Sequence, residues 1–344
     1  MIDNLNFISI QLLLSIIGVC LYFFFLEKIK LLINIYDDSN LDNRKIHSGK
    51  VPPIGGVIIY ILFVISSVFN ILENLQNDQF FTIKEQVTLL FSTSLIFFTG
   101  LLDDKYSLRP LNKSIIFLIL ILIFLLNNPD INIYFIRFEL FSKVLALGDF
   151  SLFFTLFCIF CFMNAFNMYD GINLQSGLYS LFIFIIFFFK NIDNFFTISL
   201  IISLIFFLYY NFKNKIFFGN NGSYLVSFLI SIYLIKSNIV FSKISVEEIL
   251  ILLLIPGMDM LRLFIFRLIK GKSPFLPDNN HIHHLIFKKN NDLLLTVIII
   301  FTLTVLPYLI FIFLYKSPLI LLLQILLYLI ILKFITLKQS NFIS

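Results

Sequence analysis

Residues Gln86–Lys105 read QVTLLFSTSLIFFTGLLDDK. The stretch Gln86–Leu102 has no charged residue, and Asp103, Asp104 and Lys105 follow at once. A helix needs about 17–25 mostly apolar residues to cross the hydrocarbon core of a bilayer. This stretch is long enough to span, and it delivers two carboxylates to the membrane surface. An acidic pair at a helix C-terminus opposes the helix dipole, so it calls for a compensating cation or a function. Adjacent helical residues point about 100° apart. One carboxylate can therefore face a site while the other holds a lysine or a backbone group. A solvated helix end is the structural alternative.

The rest of the chain repeats this pattern. It has 344 residues, 59% hydrophobic and 13% charged. Soluble domains carry roughly 25% charged residues, which excludes a soluble globular fold. Apolar runs occur at about 8–26, 54–71, 86–102, 114–126, 151–166, 176–190, 195–210, 224–240, 247–269, 293–315 and 319–337. The fold class expected is an all-α polytopic membrane protein with about 11 transmembrane helices, forming one integral membrane domain over 1–344. MIDNLN lacks the basic start of a signal peptide, so the first run is read as a retained span.

Lys and Arg orient the bundle. Of the 25, Lys84, Arg137, Lys143, Lys190, Lys236, Lys243 and Lys316 fall in one set of alternate loops, Arg262 falls inside a span, and the other 17 fall in the opposite set. The richer set is expected in the cytoplasm, which puts the N-terminus outside and the C-terminus inside. The cytoplasmic loops are then about 27–53, 103–113, 164–177, 211–223 and 270–292. The long outer loop 127–150 contains INIYFIRFEL, rich in β-formers, and a small external β-hairpin is expected there. Cys158 and Cys161 form a C-x-x-C among Phe and Ile; with no second pair they read as structural thiols.

Every chemistry-bearing segment falls in the cytoplasmic set. In Asn164–Gly177, Asn164 and Asn167 share a helix face and Asp170 continues it. Two amide oxygens and a carboxylate suit Mg²⁺, a hard ion that prefers oxygen ligands; helix capping by Asn, Asp and Gly is the structural alternative. NFKNKIFFGNNGS, from Asn211 to Ser223, is a turn able to offer backbone N–H groups to an anion. His281, His283 and His284 lie beside Lys272. Their spacing matches no standard helical zinc pair and no cysteine is near, so a phosphate or nucleotide contact, or acid–base work, fits better than zinc. Arg44-Lys45-Ile46-His47 precedes Pro52-Pro53-Ile54-Gly55-Gly56, where the double glycine suggests a close backbone approach.

These segments, in this order, resemble the polyprenyl-phosphate N-acetylhexosamine-1-phosphate transferases (glycosyltransferase 4 family), and within them the bacterial undecaprenyl-phosphate GlcNAc-1-phosphate transferase branch. The resemblance runs from about Arg44 to His284, through RKIHSGKVPPIGG, GLLDDKYSLRPLNK, NAFNMYDGIN, FFGNNGS and the stretch from Pro256 to HIHH. It implies transfer of a sugar-1-phosphate from a UDP-sugar to undecaprenyl phosphate, with release of UMP and with Mg²⁺ (Mn²⁺ as a substitute). Such an enzyme sits in a bacterial inner membrane with its active site in the cytoplasm, and starts a cell-surface glycan.

The resemblance also assigns residues. Asp103, Asp104 and Asp170 are the implied catalytic carboxylates, and Asn167 and Asn220 the implied metal ligands. Lys45, His47, Lys113, Asn164, Asn173, His281, His283 and His284 are the implied substrate contacts, Lys113 near the lipid phosphate and the histidines on the nucleotide-sugar loop. The expected partners are undecaprenyl phosphate, the UDP-sugar and membrane lipid, with a homodimer left open and no nucleic acid. Direct attack with Asp103 orienting or deprotonating the lipid phosphate is preferred to a covalent aspartyl-phosphate. Three positions depart from the family pattern: Asn220 and Asn173 stand where the family has Asp, and Asn279 where it has Arg. The alternatives are an impaired relative that binds without turnover and a lipid or solute transporter.

Overall fold

A computed structural model describes residues 2–38, 49–72, 80–138, 143–273, 279–314 and 319–340. Its helices are α1 (Ile2–Phe24), α2 (Leu26–Ile33), α3 (Gly55–Leu72), α4 (Ile83–Tyr106), α5 (Pro110–Asn127), α6 (Ser151–Tyr169), α7 (Gln175–Phe189), α8 (Asn194–Phe212), α9 (Gly219–Ile239), α10 (Val246–Ile269), α11 (Ile282–Asn290), α12 (Leu293–Phe313) and α13 (Leu319–Ser340). Among the described residues, eight helices are long and apolar enough to cross a membrane, and shorter apolar helices cover Ser9–Phe24, Gln175–Phe189 and Leu319–Ile335. The chain is an all-α polytopic membrane protein. Strands β1 (Asp37–Asp38) and β2 (Lys50–Val51) pair antiparallel, as do β3 (Phe135–Phe138) and β4 (Lys143–Ala146).

Local chemistry sets the helix ends. Thr82 and Glu85 form a capping box that opens α4. Pro110 begins α5, where its missing N–H costs nothing. Ser245 and Asp292 accept the backbone N–H groups of Glu248 and Leu295 at the starts of α10 and α12. Pro256 and Pro307 lie inside α10 and α12. Neighbouring helices make such breaks tolerable in membranes.

Helix α9 is the axis of the bundle, buried along nearly its whole length and packed by α3, α4 and α6. Two glycines let it sit so deep. A Cβ on Gly56 would lie 2.1 Å from Asn221 Oδ1, and one on Gly100 would lie 2.6 Å from Asn221 Cα. Backbone bonds fix the approach further: Gly55 N–H donates to Phe217 O at 2.8 Å, and Phe217 N–H donates to Pro52 O at 3.0 Å. The close approach expected at the double glycine is therefore against the start of α9.

Lipid tails are as apolar as leucine, so packing and interhelical hydrogen bonds carry the association. Gln11, Ser15, Ser66 and Ser199 link α1, α3 and α8 in a buried polar cluster, with Ser66 Oγ 2.7 Å from Ser199 Oγ. At the end of the bundle away from the glycines, Lys236 pairs with buried Glu85 at 2.5 Å and lies over the Phe81 ring. Phe91, Phe98, Ile119 and Phe153 are exposed on outer faces, as suits helices bathed in lipid.

Candidate active site

Where α9 begins, the C-termini of α4, α6 and α8 come together with the N-termini of α3, α5, α7 and α9 itself. They enclose a cavity of about 620 Å³ whose lining includes Asp103, Asp104, Asn167, Asp170, Asn173 and Asn220. The segment Ile35–Asp37 and His284 complete its rim. Residues from five stretches far apart in the chain thus share one polar hollow at the end of an apolar bundle.

The acidic pair divides its partners as helical geometry requires. Asp103 is buried, and Lys113 Nζ from the first turn of α5 donates to its Oδ2 at 2.9 Å. Asp104 faces α9 instead. Its Oδ1 accepts Asn220 N–H at 2.9 Å, and its Oδ2 accepts Asn221 N–H at 3.0 Å and Asn221 Nδ2 at 2.6 Å. A carboxylate at a helix N-terminus satisfies orphan donors and complements the dipole. The backbone amides expected to meet an anion in the Gly219–Gly222 turn therefore meet one from the protein itself.

Asn167 and Asp170 approach from the end of α6. Asn167 Nδ2 donates to Asn220 Oδ1 at 2.7 Å and to Ser223 Oγ at 2.8 Å, while Tyr224 OH donates to Asn167 Oδ1 at 3.1 Å. Ser176 Oγ donates to Asp170 Oδ1. Desolvation pushes the Asp170 carboxyl up to about 7, against the Ser176 bond, with the charge of Asp104 adding to the rise. Asn173 donates to Asn214 Oδ1, and Leu174 N–H donates to Asn211 Oδ1 at 2.7 Å. The latter bond holds Leu174 at φ 70°, a strained left-handed turn between α6 and α7. Asn164 does not reach the cavity lining, because its Nδ2 donates back to Phe160 O within α6.

The histidines form a layered stack. His281 and His283 lie parallel with centroids 5.3 Å apart, and His284 is 4.3 Å from His283. His284 reaches the cavity lining, whereas His281 and His283 lie behind it. His283 is buried against Gly171, where an added Cβ would fall 2.0 Å from its Nε2. Burial, with His284 and His281 beside it, holds His283 well below the usual imidazole range. His281 Nδ1 is 2.9 Å from Asp259 Oδ2. Lys45 and His47 lie outside the described residues.

The donor set fits a hard divalent ion. Asp37, Asp103, Asp104 and Asp170 line the cavity, Lys113 pairs with Asp103, and the side-chain oxygens of Asn167 and Asn220 would add neutral ligands. Among the described residues no three His, Cys, Asp or Glu side chains form a ready cage. Mg²⁺ does not need one, since it keeps several waters and takes one or two carboxylates together with substrate phosphates.

The model of glycosyl transferase family 4 matches residues 86–238, which carry every cavity carboxylate except Asp37. An undecaprenyl-phosphate alpha-N-acetylglucosaminyl 1-phosphate transferase of Thermotoga maritima is 30% identical over 252 residues, 72% of each chain. The chain belongs to glycosyl transferase family 4. Proteins of the same name from Escherichia coli K12 and Salmonella typhi are 29% and 28% identical, covering 83% and 78% of this chain and 78% and 73% of their own.

In this family 4 chain, some partners of the site escape sequence reasoning. Ser176, Asn211, Ser223 and Tyr224 each hold a cavity residue. The first three sit in polar stretches that already drew notice, but nothing in their spacing marks them. Asp259, Arg262 and Tyr328 meet behind the histidines; a charge inside an apolar span is rare, and that alone sets Asp259 and Arg262 apart in the sequence. Cys158 and Cys161 are free thiols lining a separate apolar cavity of about 380 Å³ between α6, α9 and α10.

Proposed function

We propose that this protein transfers a sugar-1-phosphate, by preference N-acetylhexosamine-1-phosphate, from a UDP-sugar to undecaprenyl phosphate, releasing UMP. The observation that carries the reading is the convergence of Asp103, Asp104, Asn167, Asp170 and Asn220 on one polar cavity at the end of an apolar bundle, in a family 4 chain. A lipid phosphate in the membrane and a soluble nucleotide can both reach such a place.

In the reaction an oxygen of the lipid phosphate attacks the β-phosphorus of the UDP-sugar, and the bond to the UMP oxygen breaks. Both reactants are anionic, so catalysis rests on positioning and charge stabilisation. Asp103 faces the lipid phosphate and orients or deprotonates it, with Lys113 neutralising the pair. Asp104 holds the start of α9, so that Asn220 and Asn167 keep their places. Asp170, Asn167 and Asn220 would hold Mg²⁺, or Mn²⁺ in its stead. A bound divalent ion supplies charge neutralisation of the diphosphate and of the leaving UMP. His284 stands at the rim for the nucleotide-sugar.

The bacterial plasma membrane is the setting this reading requires, and the positive-inside asymmetry supports a cavity on the cytoplasmic side. The N-terminus is then outside and the C-terminus inside. The test is purified protein with undecaprenyl phosphate, Mg²⁺ and a panel of UDP-sugars, scoring UMP. Folded protein that releases UMP from none of them overturns the reading.

A further inference from the structure

Behind the histidine stack lies a buried hydrogen-bonded knot that no cavity-lining residue accounts for. Asp259, in α10, is buried and accepts four donors. Arg262 Nη2 reaches its Oδ1 at 2.7 Å, Tyr328 OH at 3.1 Å and Ile282 N–H at 3.2 Å, while His281 Nδ1 lies 2.9 Å from its Oδ2. Arg262 Nε also donates to Tyr328 OH at 3.1 Å, and its Nη2 donates to Asn280 O. Asp259 is paired with Arg262 and therefore ionised, and an ionised carboxylate only accepts. His281 must then carry its proton on Nδ1.

The knot joins three elements. Asp259 and Arg262 belong to α10, Asn280, His281 and Ile282 to the start of α11, and Tyr328 to α13, 69 residues from Asp259 in sequence. Tyr328 is fully buried. A second contact ties the same two helices, since Lys289 Nζ of α11 lies 3.3 Å from the centroid of the Phe334 ring of α13. From His281 the contact continues inward, through the parallel ring of His283 to Gly171 beside Asp170, and through His283 to His284 at the cavity rim.

We propose that Tyr328 is a positioning residue for the nucleotide-sugar side of the cavity: through Asp259 and Arg262 it sets the histidine stack, and the stack sets His284 and the Asp170–Gly171 turn. The last helix is thereby part of the site although it lies outside the segment matched by the family model. The lipid-phosphate side, at Asp103 and Lys113, is built from α4 and α5, and among the described residues it shares no hydrogen bond with Asp259, Arg262, His281 or Tyr328. The device acts on one substrate of two. This inference rests on the two-substrate reading proposed above.

A hydroxyl deletion tests it with little change of volume. Tyr328→Phe keeps the ring and removes the donor to Asp259 and the acceptor for Arg262. The expected result is a rise of about fivefold to tenfold in KM for the UDP-sugar, with KM for undecaprenyl phosphate within about twofold of wild type. UDP binding measured by calorimetry on the purified protein should weaken by a similar factor, independently of turnover. Tyr60→Phe removes a comparable hydroxyl bond, to Ser94 Oγ at 2.9 Å between α3 and α4, and should leave both KM values unchanged. If Tyr328→Phe shifts neither KM, or shifts both alike, the positioning role is wrong. If wild-type protein is folded and releases no UMP, the transferase reading itself fails; UDP affinity then decides the inference alone, and an unchanged affinity in Tyr328→Phe overturns it.

Discussion

Asp104 and Asn220 are 116 positions apart in the chain, yet the carboxylate of the first accepts the backbone N–H of the second at 2.9 Å. That bond closes the N-terminus of α9, the most buried helix of the bundle. Its neighbour Asp103 turns the other way, to Lys113. Two adjacent carboxylates therefore have separable duties, and their variants should fail differently. Asp103→Asn should lower turnover by about 10²–10³, the usual effect of removing a group that acts on developing charge, with little loss of thermal stability. Asp104→Asn should lower stability by about 1–2 kcal/mol through the lost cap, in addition to any loss of rate. Equal stability of the two variants in detergent melts would contradict this division.

The acidity of Asp170 gives a pH test. Its folded carboxyl is pushed up to about 7 by desolvation, from an ordinary 3.8. A raised carboxylate binds its proton more tightly when folded, so the folded state gains relative to the unfolded chain at low pH. That advantage is lost as pH rises from about 4 to about 7, and above both values the penalty is constant. In chelator, wild-type protein should lose more apparent melting temperature across this window than Asp170→Asn does. Mg²⁺ should restore the difference above pH 7, where the carboxylate is charged. Parallel melting curves for the two proteins from pH 4 to 7 would show that Asp170 carries no such strain.

How much of this was open to sequence reading depends on distance along the chain. The apolar runs reported the helices because span length follows from bilayer thickness. The Asp103/Asp104, Asn167/Asp170 and histidine segments stood out because polar side chains are rare in such a chain. The roles inside them were less legible. Asn164 and Asn167 share a spacing, but Asn164 folds back on Phe160 O, a local competition that periodicity does not reveal. Tyr328 was invisible: one hydroxyl in a Leu and Ile run carries no signal until tertiary packing brings it to Asp259. Gly56 falls between these cases, since the close approach at the double glycine was legible but the partner, Asn221, was not; Gly100, which meets the same residue, gave no signal.

Orientation can be read in cells. If the cavity faces the cytoplasm, Lys105→Cys and Lys272→Cys, both exposed near the cavity end, should react with an impermeant thiol reagent only after permeabilisation. Lys143→Cys, exposed in β4, should react in intact cells. The inference follows from the excess of Lys and Arg in one set of loops. Labelling of position 105 or 272 in intact cells would invert the bundle and put the nucleotide on the wrong side.

Asn220 gives the last test, because it concerns what an amide does where the family resemblance implies a carboxylate. Its Oδ1 accepts Asn167 Nδ2 at 2.7 Å, and its backbone N–H already serves Asp104. If Asn220 also meets Mg²⁺, it does so with a neutral oxygen, and affinity for a hard divalent ion falls with ligand charge. Wild-type turnover should then need high Mg²⁺. Asn220→Asp should move the Mg²⁺ midpoint to lower concentration, by about threefold to tenfold, since Asn167 can donate to either side chain. Asn127→Asp, at the far end of α5, should move nothing. The competing outcome is also physical: with Asp37, Asp103, Asp104 and Asp170 lining the same cavity, a fifth carboxylate that gains no metal would repel the substrate phosphates. Turnover would then fall at every Mg²⁺ concentration. An unaltered midpoint with lower turnover would remove Asn220 from the metal shell and leave Asn167 and Asp170 to hold the ion with the diphosphate.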